Sequence, residues 1–176
     1  LGPSELNQAS YGVADHPSIV TDGSGTPYVA YQDAGNSSKA TVMKYNGNTW
    51  ELVGTAGFFE GAAYNTSIAI DGSNIRYVVY GDADNSYMAT VKKYNGSSWE
   101  PVGTAGFSAG QAGFTSMAMD YSGTPYVAYR DDENGYKATV MRYNGSTWET
   151  VGTAAFSAYR SDYTSIALDG SGIPYV

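Results

Sequence analysis

The 176-residue chain contains no cysteine, one histidine and a low fraction of charged residues, 15%. Without cysteine, disulfides and thiolate metal sites are both excluded. The single histidine, His16, has no visible partner for general base chemistry, and neither a Ser-His-Asp set nor a histidine-based metal motif is present. No apolar run reaches the roughly 18 residues that a membrane-spanning helix needs. We therefore expect neither membrane insertion nor the commonest hydrolase chemistry.

Basic residues are also scarce, with 9 Lys and Arg against 17 Asp and Glu, so the formal net charge is −8. Nucleic acids and anionic membrane surfaces attract proteins that carry the opposite charge. The balance therefore argues against both classes of partner, and it is weakly compatible with cation binding.

What the chain has in abundance is glycine, with 22 residues, and tyrosine, with 17. Its three tryptophans recur every 49 residues, at Trp50, Trp99 and Trp148, and the surrounding text repeats with them. Periods of about 20–50 residues indicate arrays, solenoids or propellers. The repeats divide the chain into a divergent N-terminal cap (1–17), three full copies (18–66, 67–115 and 116–164) and the start of a fourth copy (165–176).

Each repeat predicts four short strands separated by turn residues. Asn46-Gly47 is a strong hairpin signal, and Pro27 suits the first residue of a strand, where a missing N–H is tolerated. No window keeps a helical period, so we expect almost no helix. In the first repeat the predicted strands are Ser18–Thr21, Pro27–Asp33, Lys39–Tyr45 and Thr49–Gly54.

The central strands carry apolar groups on both faces, as in residues 28–31 and 40–45. A sheet with one wet face alternates apolar and polar residues, so these sheets are expected to be covered on both sides. Four-stranded antiparallel sheets stacked face to face form a β-propeller. The fold class predicted is therefore all-β, with 49-residue propeller blades.

Two motifs also carry a family resemblance: D-G-S-G-x-P-Y-V-A-Y-x-D, and then K-A-T-V-M-K-Y-N-G-x-x-W-E-x-V-G-T-A-G-F-S. They resemble highly repetitive β-propeller segments of bacterial secreted and cell-surface proteins, and residues 166–176 resemble the strand-turn-strand of NHL-type blades. The resemblance covers residues 18–176 and implies a propeller that is secreted or displayed on a bacterial surface. It does not imply an activity, because such arrays host many functions.

The number of blades does not close a ring, since the chain holds roughly 3.6 blades and closed propellers typically have 4–8. Three explanations remain open. The chain is part of a longer repeat protein, or two chains form a homodimer that closes a ring of about seven or eight blades. Alternatively, Glu5–Val13 adds a strand to a strained four-bladed ring.

Differences between the copies concentrate in two kinds of connection, from second to third strand and from fourth strand to the next blade. Both lie on one face of a meander, whereas the nearly constant turns lie on the other. Loops on a rigid scaffold commonly carry function, although drift in exposed loops gives the same pattern. The predicted ligand-binding residues on this face are Tyr64, Arg130, Asp132, Glu133, Tyr136, Tyr159, Arg160 and Asp162.

Repeated side chains receive structural interpretations. Asp22 and its copies Asp71, Asp120 and Asp169 are expected to bond backbone N–H groups within their turns. The tryptophans are expected to pack between blades, with sugar stacking as the alternative. No cofactor is predicted; calcium is a weak alternative, with Asp84, Asp131 and Asp132 as its candidate ligands.

These observations favour a non-catalytic binding or adhesion module with a carbohydrate ligand. The alternative is a purely structural scaffold without a ligand, such as a spacer or a symmetric fragment that self-assembles. An enzyme ranks third, because paired carboxylates hydrolyse glycosides without histidine but no unique pair stands out.

Overall fold

The computed structural model describes residues 13–176, and nearly all of its regular elements are β-strands. The helical elements of this range are two single-turn 3-10 segments, Ala34–Asn36 and Ala83–Asn85. Within it, no helix has the length and hydrophobicity that a bilayer crossing requires. The prediction of an all-β chain almost free of helix is confirmed.

The strands form three complete antiparallel blades and part of a fourth, each ordered along the sheet as along the chain. Blade 1 contains β1 (Ala14–Thr21), β2 (Pro27–Asp33), β3 (Lys39–Tyr45) and β4 (Trp50–Leu52). Blade 2 contains β5 (Ala63–Ile70), β6 (Arg76–Asp82), β7 (Met88–Tyr94) and β8 (Trp99–Pro101). Blade 3 contains β9 (Ala112–Met119), β10 (Pro125–Asp131), β11 (Lys137–Tyr143) and β12 (Trp148–Thr150). The partial blade contains β13 (Ala167–Leu168) and β14 (Pro174–Tyr175).

The predicted second and third strands of the first repeat have the observed bounds, and the fourth is shorter than predicted, Trp50–Leu52 instead of Thr49–Gly54. The first strand also differs. It begins at Ala14 instead of Ser18, because Ala14 and Asp15 still pair with β2 beyond a break in register. That break interrupts the alternation by which a strand is recognised in sequence. The predicted extra strand Glu5–Val13 lies outside the described residues except for Val13.

The constant turns are held by their own polar side chains. Asp22 Oδ1 accepts hydrogen bonds from the N–H groups of Ser24 and Thr26, both at 2.9 Å. The hydrogen bond from the Ser24 hydroxyl, more than any other contact, lowers the pKa of Asp22. Asp71, Asp120 and Asp169 make the same two backbone contacts in their turns, so the structural role predicted for these carboxylates is confirmed.

The core lies between the blades. Ala30 and Val42 of blade 1 pack with Val78 of blade 2, and Val79 packs with Val127 of blade 3 in the same way. Alternate residues of a strand point to opposite faces, so each central strand contributes to two interfaces. This explains the apolar residues on both faces and identifies the stack as propeller-type.

The tryptophans close the outer part of these interfaces. Trp99 stacks on Phe58 with ring centroids 4.2 Å apart, and its indole N–H donates to the carbonyl of Val53 at 3.1 Å. Trp148 repeats both contacts one blade later, on Phe107 and Val102. The half-buried rings are thus packing residues with a satisfied indole, as predicted.

No sheet in residues 13–176 closes on itself. The described arc therefore has the form of a partial propeller, and completion by a second chain or by further sequence stays a prediction.

Candidate functional site

The first strand of each complete blade is broken by a bulge at the same point. The register shifts between Asp15 and Ser18 in blade 1 and between Tyr64 and Ser67 in blade 2, and an equivalent shift occurs in blade 3. One residue in each bulge, and its equivalent in the fourth repeat, has a left-handed backbone with φ between 49° and 57°. These four residues are His16, Asn65, Phe114 and Tyr163.

This conformation is costly for side chains other than glycine, on the order of 1–3 kcal/mol at each position. At three of the four positions, His16, Asn65 and Phe114, a threonine hydroxyl of the next blade binds the carbonyl and stabilises the bulge. Thr66 Oγ1 donates to the carbonyl of His16 at 2.9 Å. Thr115 donates in the same way to Asn65, and Thr164 to Phe114.

Serine hydroxyls make a second set of links between the first strands of adjacent blades. The N–H of Ile68 donates to Ser18 Oγ at 3.2 Å. The pairs Met117–Ser67 and Ile166–Ser116 repeat this bond at the same distance. The first strands are therefore joined through side chains, which fixes the four bulge residues relative to one another.

The bulges line a cavity of about 230 Å³ that opens to solvent. We call it the bulge pocket. Its walls contain no carboxylate, ammonium or guanidinium group, and the Phe114 and Tyr163 rings meet there with centroids 4.6 Å apart. Its lining residues are His16, Pro17, Asn65, Thr66, Phe114, Thr115, Tyr163 and Thr164.

A cluster of charges borders the pocket at Phe114. Arg130 binds Asp132 through Nε at 2.6 Å and Nη2 at 3.1 Å, and it binds Asp162 through Nη1 at 2.7 Å. Its guanidinium carbon lies 4.8 Å from the centre of the Phe114 ring. Hydrogen bonds from Arg160 first and Arg130 second hold the pKa of Asp162 below its ordinary value.

The structure brings together five of the eight residues predicted for this face. Arg130, Asp132 and Asp162 form the ion pairs, while both Arg130 and Arg160 lie against the ring of Tyr136. The remaining three are separate from that cluster. Tyr64 packs on Tyr87 in blade 2, the Cβ of Glu133 approaches Gly110, and Tyr159 is exposed.

The bulge residues themselves were not among the predicted ligand-binding residues. Their signal was present: the column that reads His, Asn, Phe and Tyr directly precedes a nearly constant pair, Thr-Ser in three copies and Pro-Ser in the first. Nothing in sequence alone indicates that this column has left-handed backbone or that its members share one pocket.

The calcium candidates are not grouped. Asp131 is buried and accepts hydrogen bonds from Thr139 Oγ1 at 3.0 Å and Asn134 Nδ2 at 2.9 Å, so its oxygens brace the end of β10. Asp132 is paired with Arg130, and Asp84 lies beside Gly61. Among residues 13–176, no three His, Asp or Glu side chains form a metal-binding group.

No protein-family model matches the chain, and no match is found among curated proteins. Solved structures do match, at low sequence identity. A fucose lectin from Kordia zhangzhouensis, in complex with methyl-fucoside, has a TM-score of 0.53 at 16% identity, with 78% of this chain and 99% of the lectin covered.

Two carbohydrate-active enzymes show the same likeness. An α-L-arabinanase from Penicillium chrysogenum has a TM-score of 0.59 at 11% identity, with 84% of this chain and 53% of the enzyme covered. An ulvan lyase of polysaccharide lyase family PL25 has a TM-score of 0.56 at 16% identity, with 80% and 40% covered. The chain thus spans about half or less of these two enzymes, and the matches show a propeller-type fold.

Proposed function

We propose that the chain is a non-catalytic carbohydrate-binding module that takes its ligand on the face of the variable loops. The observation that carries the proposal is the set of bulge residues. A constant framework of Thr and Ser hydrogen bonds holds four different side chains, His16, Asn65, Phe114 and Tyr163, at one pocket. The comparisons support the ligand class, since they include a fucose lectin and enzymes named for polysaccharide substrates.

The same comparisons make a glycoside-cleaving enzyme the competing function. A glycosidase needs one carboxylic acid that stays protonated and a second carboxylate placed opposite it. On this face Asp132 and Asp162 share one arginine, and the pKa of Asp162 is lowered, which suits a structural anion better than a general acid. These contacts support a binding role without catalysis.

A glycan array with and without calcium tests the proposal. We expect binding to a restricted set of glycans that does not change when calcium is removed. The same protein incubated with arabinan, ulvan and galactan should release no reducing ends or unsaturated products. An array without hits would contradict the binding function, and turnover of any polysaccharide would replace it by the enzymatic one.

A purely structural scaffold is the second candidate. It is favoured by the near-identity of the blades, whose turns, tryptophan contacts and interblade hydrogen bonds repeat with little change. In that case thermal unfolding curves would stay the same in the presence of a broad panel of sugars. A shift of the midpoint with any one sugar would favour the binding module.

We also propose that the module self-associates and works outside the cell or at a bacterial surface. Ile19 is 67% exposed, whereas its repeat equivalents Ile68, Met117 and Ile166 are 4–7% exposed between blades. A second copy that covers this position would extend the stack toward a ring of seven or eight blades. Light scattering on a sizing column should give the mass of a dimer, and a monomer at high concentration would contradict self-association.

A further inference from the structure

The bulge pocket has a chemistry of its own within an acidic protein. The chain carries a formal net charge of −8, yet the pocket presents two aromatic rings, one amide, one imidazole and threonine hydroxyls. Phe114 and Tyr163 form one edge, and Tyr163 is 84% exposed. Exposed aromatic rings joined to a few polar groups are typical of surfaces that bind a partly apolar, partly hydroxylated ligand.

The nearest cation is not available to such a ligand. Each of the three guanidinium nitrogens of Arg130 donates to a carboxylate, of Asp132 or Asp162, and the side chain is only 14% exposed. Its guanidinium carbon lies over the Phe114 ring. Arg130 therefore packs against Phe114 and does not present an unpaired positive charge to the pocket.

The polar groups of the pocket are suited to hydroxyls. The Asn65 amide both donates and accepts hydrogen bonds, as a sugar hydroxyl does, and the imidazole of His16 adds two ring nitrogens that form hydrogen bonds. A carboxylate or sulfate ligand would find no lysine or arginine in the lining and would approach the carboxylates of Asp132 and Asp162. The electrostatics thus disfavour an acidic sugar.

We infer that the bulge pocket binds a neutral saccharide, which lies with its apolar ring face on Tyr163 and Phe114 and bonds through its hydroxyls to Asn65 and His16. This inference rests on the proposed carbohydrate-binding function and specifies its site and ligand class. It assigns the contacts to bulge residues, and it places the Arg130 ion pairs outside the contact surface.

The repeats supply a variant that keeps the backbone intact. Tyr163→Asn introduces the residue that already occupies the equivalent position at Asn65, where φ is 52°. Asparagine tolerates the left-handed region, so the substitution removes the aromatic ring without straining the bulge. The matched control is Tyr121→Gly, because Tyr121 is 88% exposed in a constant turn where the other copies have Gly23, Gly72 and Gly170.

The test is calorimetric titration of the full chain and both variants with two groups of probes. The neutral probes are the methyl glycosides of fucose, galactose and mannose, and the acidic probes are glucuronic acid and N-acetylneuraminic acid. We expect at least one neutral glycoside to bind more tightly than both acids. Tyr163→Asn should weaken that binding roughly tenfold, and Tyr121→Gly should leave it unchanged.

The outcomes separate the inference from the function on which it rests. Tighter binding of an acidic sugar, or binding of a neutral glycoside that Tyr163→Asn does not weaken, would overturn the inference and leave carbohydrate binding in place. No binding of any sugar, here and on the glycan array, would overturn both. Equal unfolding midpoints of the two variants and the parent protein would show that a change in affinity comes from the loss of the Tyr163 ring and not from a loss of folded protein.

Discussion

Blades 2 and 3 have the same strands and the same hydrogen bonds between blades, but different side chains fill the space beside their first and second strands. In blade 2, Tyr64 on the first strand pairs with Gly81 on the second, and its ring packs on Tyr87. In blade 3 the sizes are reversed: Gly113 pairs with Arg130, and the guanidinium lies over Tyr136, the equivalent of Tyr87. The same volume is therefore filled from opposite strands, so residues that vary between copies are coupled in pairs.

The interfaces toward the preceding blade differ in a similar way. Blade 3 has the buried Met141, whose sulfur accepts a hydrogen bond from the Tyr129 hydroxyl at 3.4 Å. Blade 2 has Lys92 at that position, with its ammonium 4.9 Å from the centre of the buried Phe59 ring. The repeat equivalent of Phe59 in the connection before blade 3 is Ser108, so the aromatic ring and the lysine occur together.

These contrasts show that the framework tolerates change where two residues change together. The elements that do not vary, the tryptophan contacts and the Thr and Ser bonds between first strands, set the blade geometry. The elements that vary decide what each blade presents to solvent. Four predictions test this division, beginning with the framework.

The largest effect is expected for the tryptophans. Trp99→Ala and Trp148→Ala each remove a ring stacked on phenylalanine and a hydrogen bond to a backbone carbonyl. Each should lower the free energy of unfolding by about 3–5 kcal/mol. Because the contacts are the same in both blades, the two losses should agree within about 1 kcal/mol. Chemical denaturation measures both, and a fully stable Trp99→Ala protein would refute the packing role.

The second prediction concerns the lysine. Met141→Lys places an ammonium group in a site that lacks the aromatic ring of Phe59, and it should cost about 2 kcal/mol or more. The matched change Lys92→Met should alter stability by less than about 1 kcal/mol at neutral pH. Equal costs for the two substitutions would show that Phe59 does not accommodate the lysine.

The lysine also gives this contrast a pH dependence. Burial lowers the pKa of Lys92 below its ordinary value of 10.5, and Asp82 and Glu60 partly oppose the shift. The cost of the buried charge is therefore full below the lowered pKa and disappears as the pH rises to 10.5. The stability of Lys92→Met relative to the parent should fall over that range, and denaturation from pH 8 to pH 11 checks the sign.

Most of the fold was predictable because each strand and turn signal occurs in several copies of the repeat. The second strand begins with Pro or Arg in all three complete copies, and Asn-Gly follows the third strand in each copy. These repeated signals fix the strand order and the tight turns. The interblade role of Trp99 followed from its repetition at one strand position. Ala14 was missed as a strand residue because the bulge at His16 breaks the alternation.

The candidate site was only partly predictable. Variation between copies identified the five residues that the structure brings together around Arg130, whereas ligand binding on that face stays a prediction. It could not show that Arg130 is saturated by Asp132 and Asp162, because those partners come from different connections. The pocket at Asn65 and Phe114 depends on a backbone conformation that neither residue type specifies.

The third prediction tests the coupling between strands. A Cβ atom added at Gly113 would lie 2.9 Å from Arg130 Nη2, so Gly113→Tyr alone should cost about 1–3 kcal/mol. Arg130→Gly alone empties the volume over Tyr136 and should also destabilise blade 3. The double variant recreates the arrangement of Tyr64 and Gly81. Its loss should fall short of the sum by about 1 kcal/mol or more in a double-mutant cycle, and additive losses would break the comparison.

The smallest effect on stability is expected for the exposed ion pairs between the third and fourth strands of blades 2 and 3, beside the Asn-Gly turn. Arg142 donates to Glu149 at 2.7 Å in blade 3, while Lys93 and Glu100 are 3.3 Å apart in blade 2. The bond from Arg142 is the main cause that lowers the pKa of Glu149 below its ordinary value of 4.5. Its stabilising contribution is therefore present above pH 4.5 and is lost as the pH falls through the lowered pKa.

Glu149→Gln should reduce the unfolding midpoint slightly more than Glu100→Gln. The loss of midpoint in each variant should vanish in high salt or strong acid, because exposed pairs are screened. Salt-independent losses in both variants would instead indicate that the carboxylates stabilise the blades by accepting hydrogen bonds at 3.2 Å, Glu149 from Asn144 Nδ2 and Glu100 from Asn95 Nδ2.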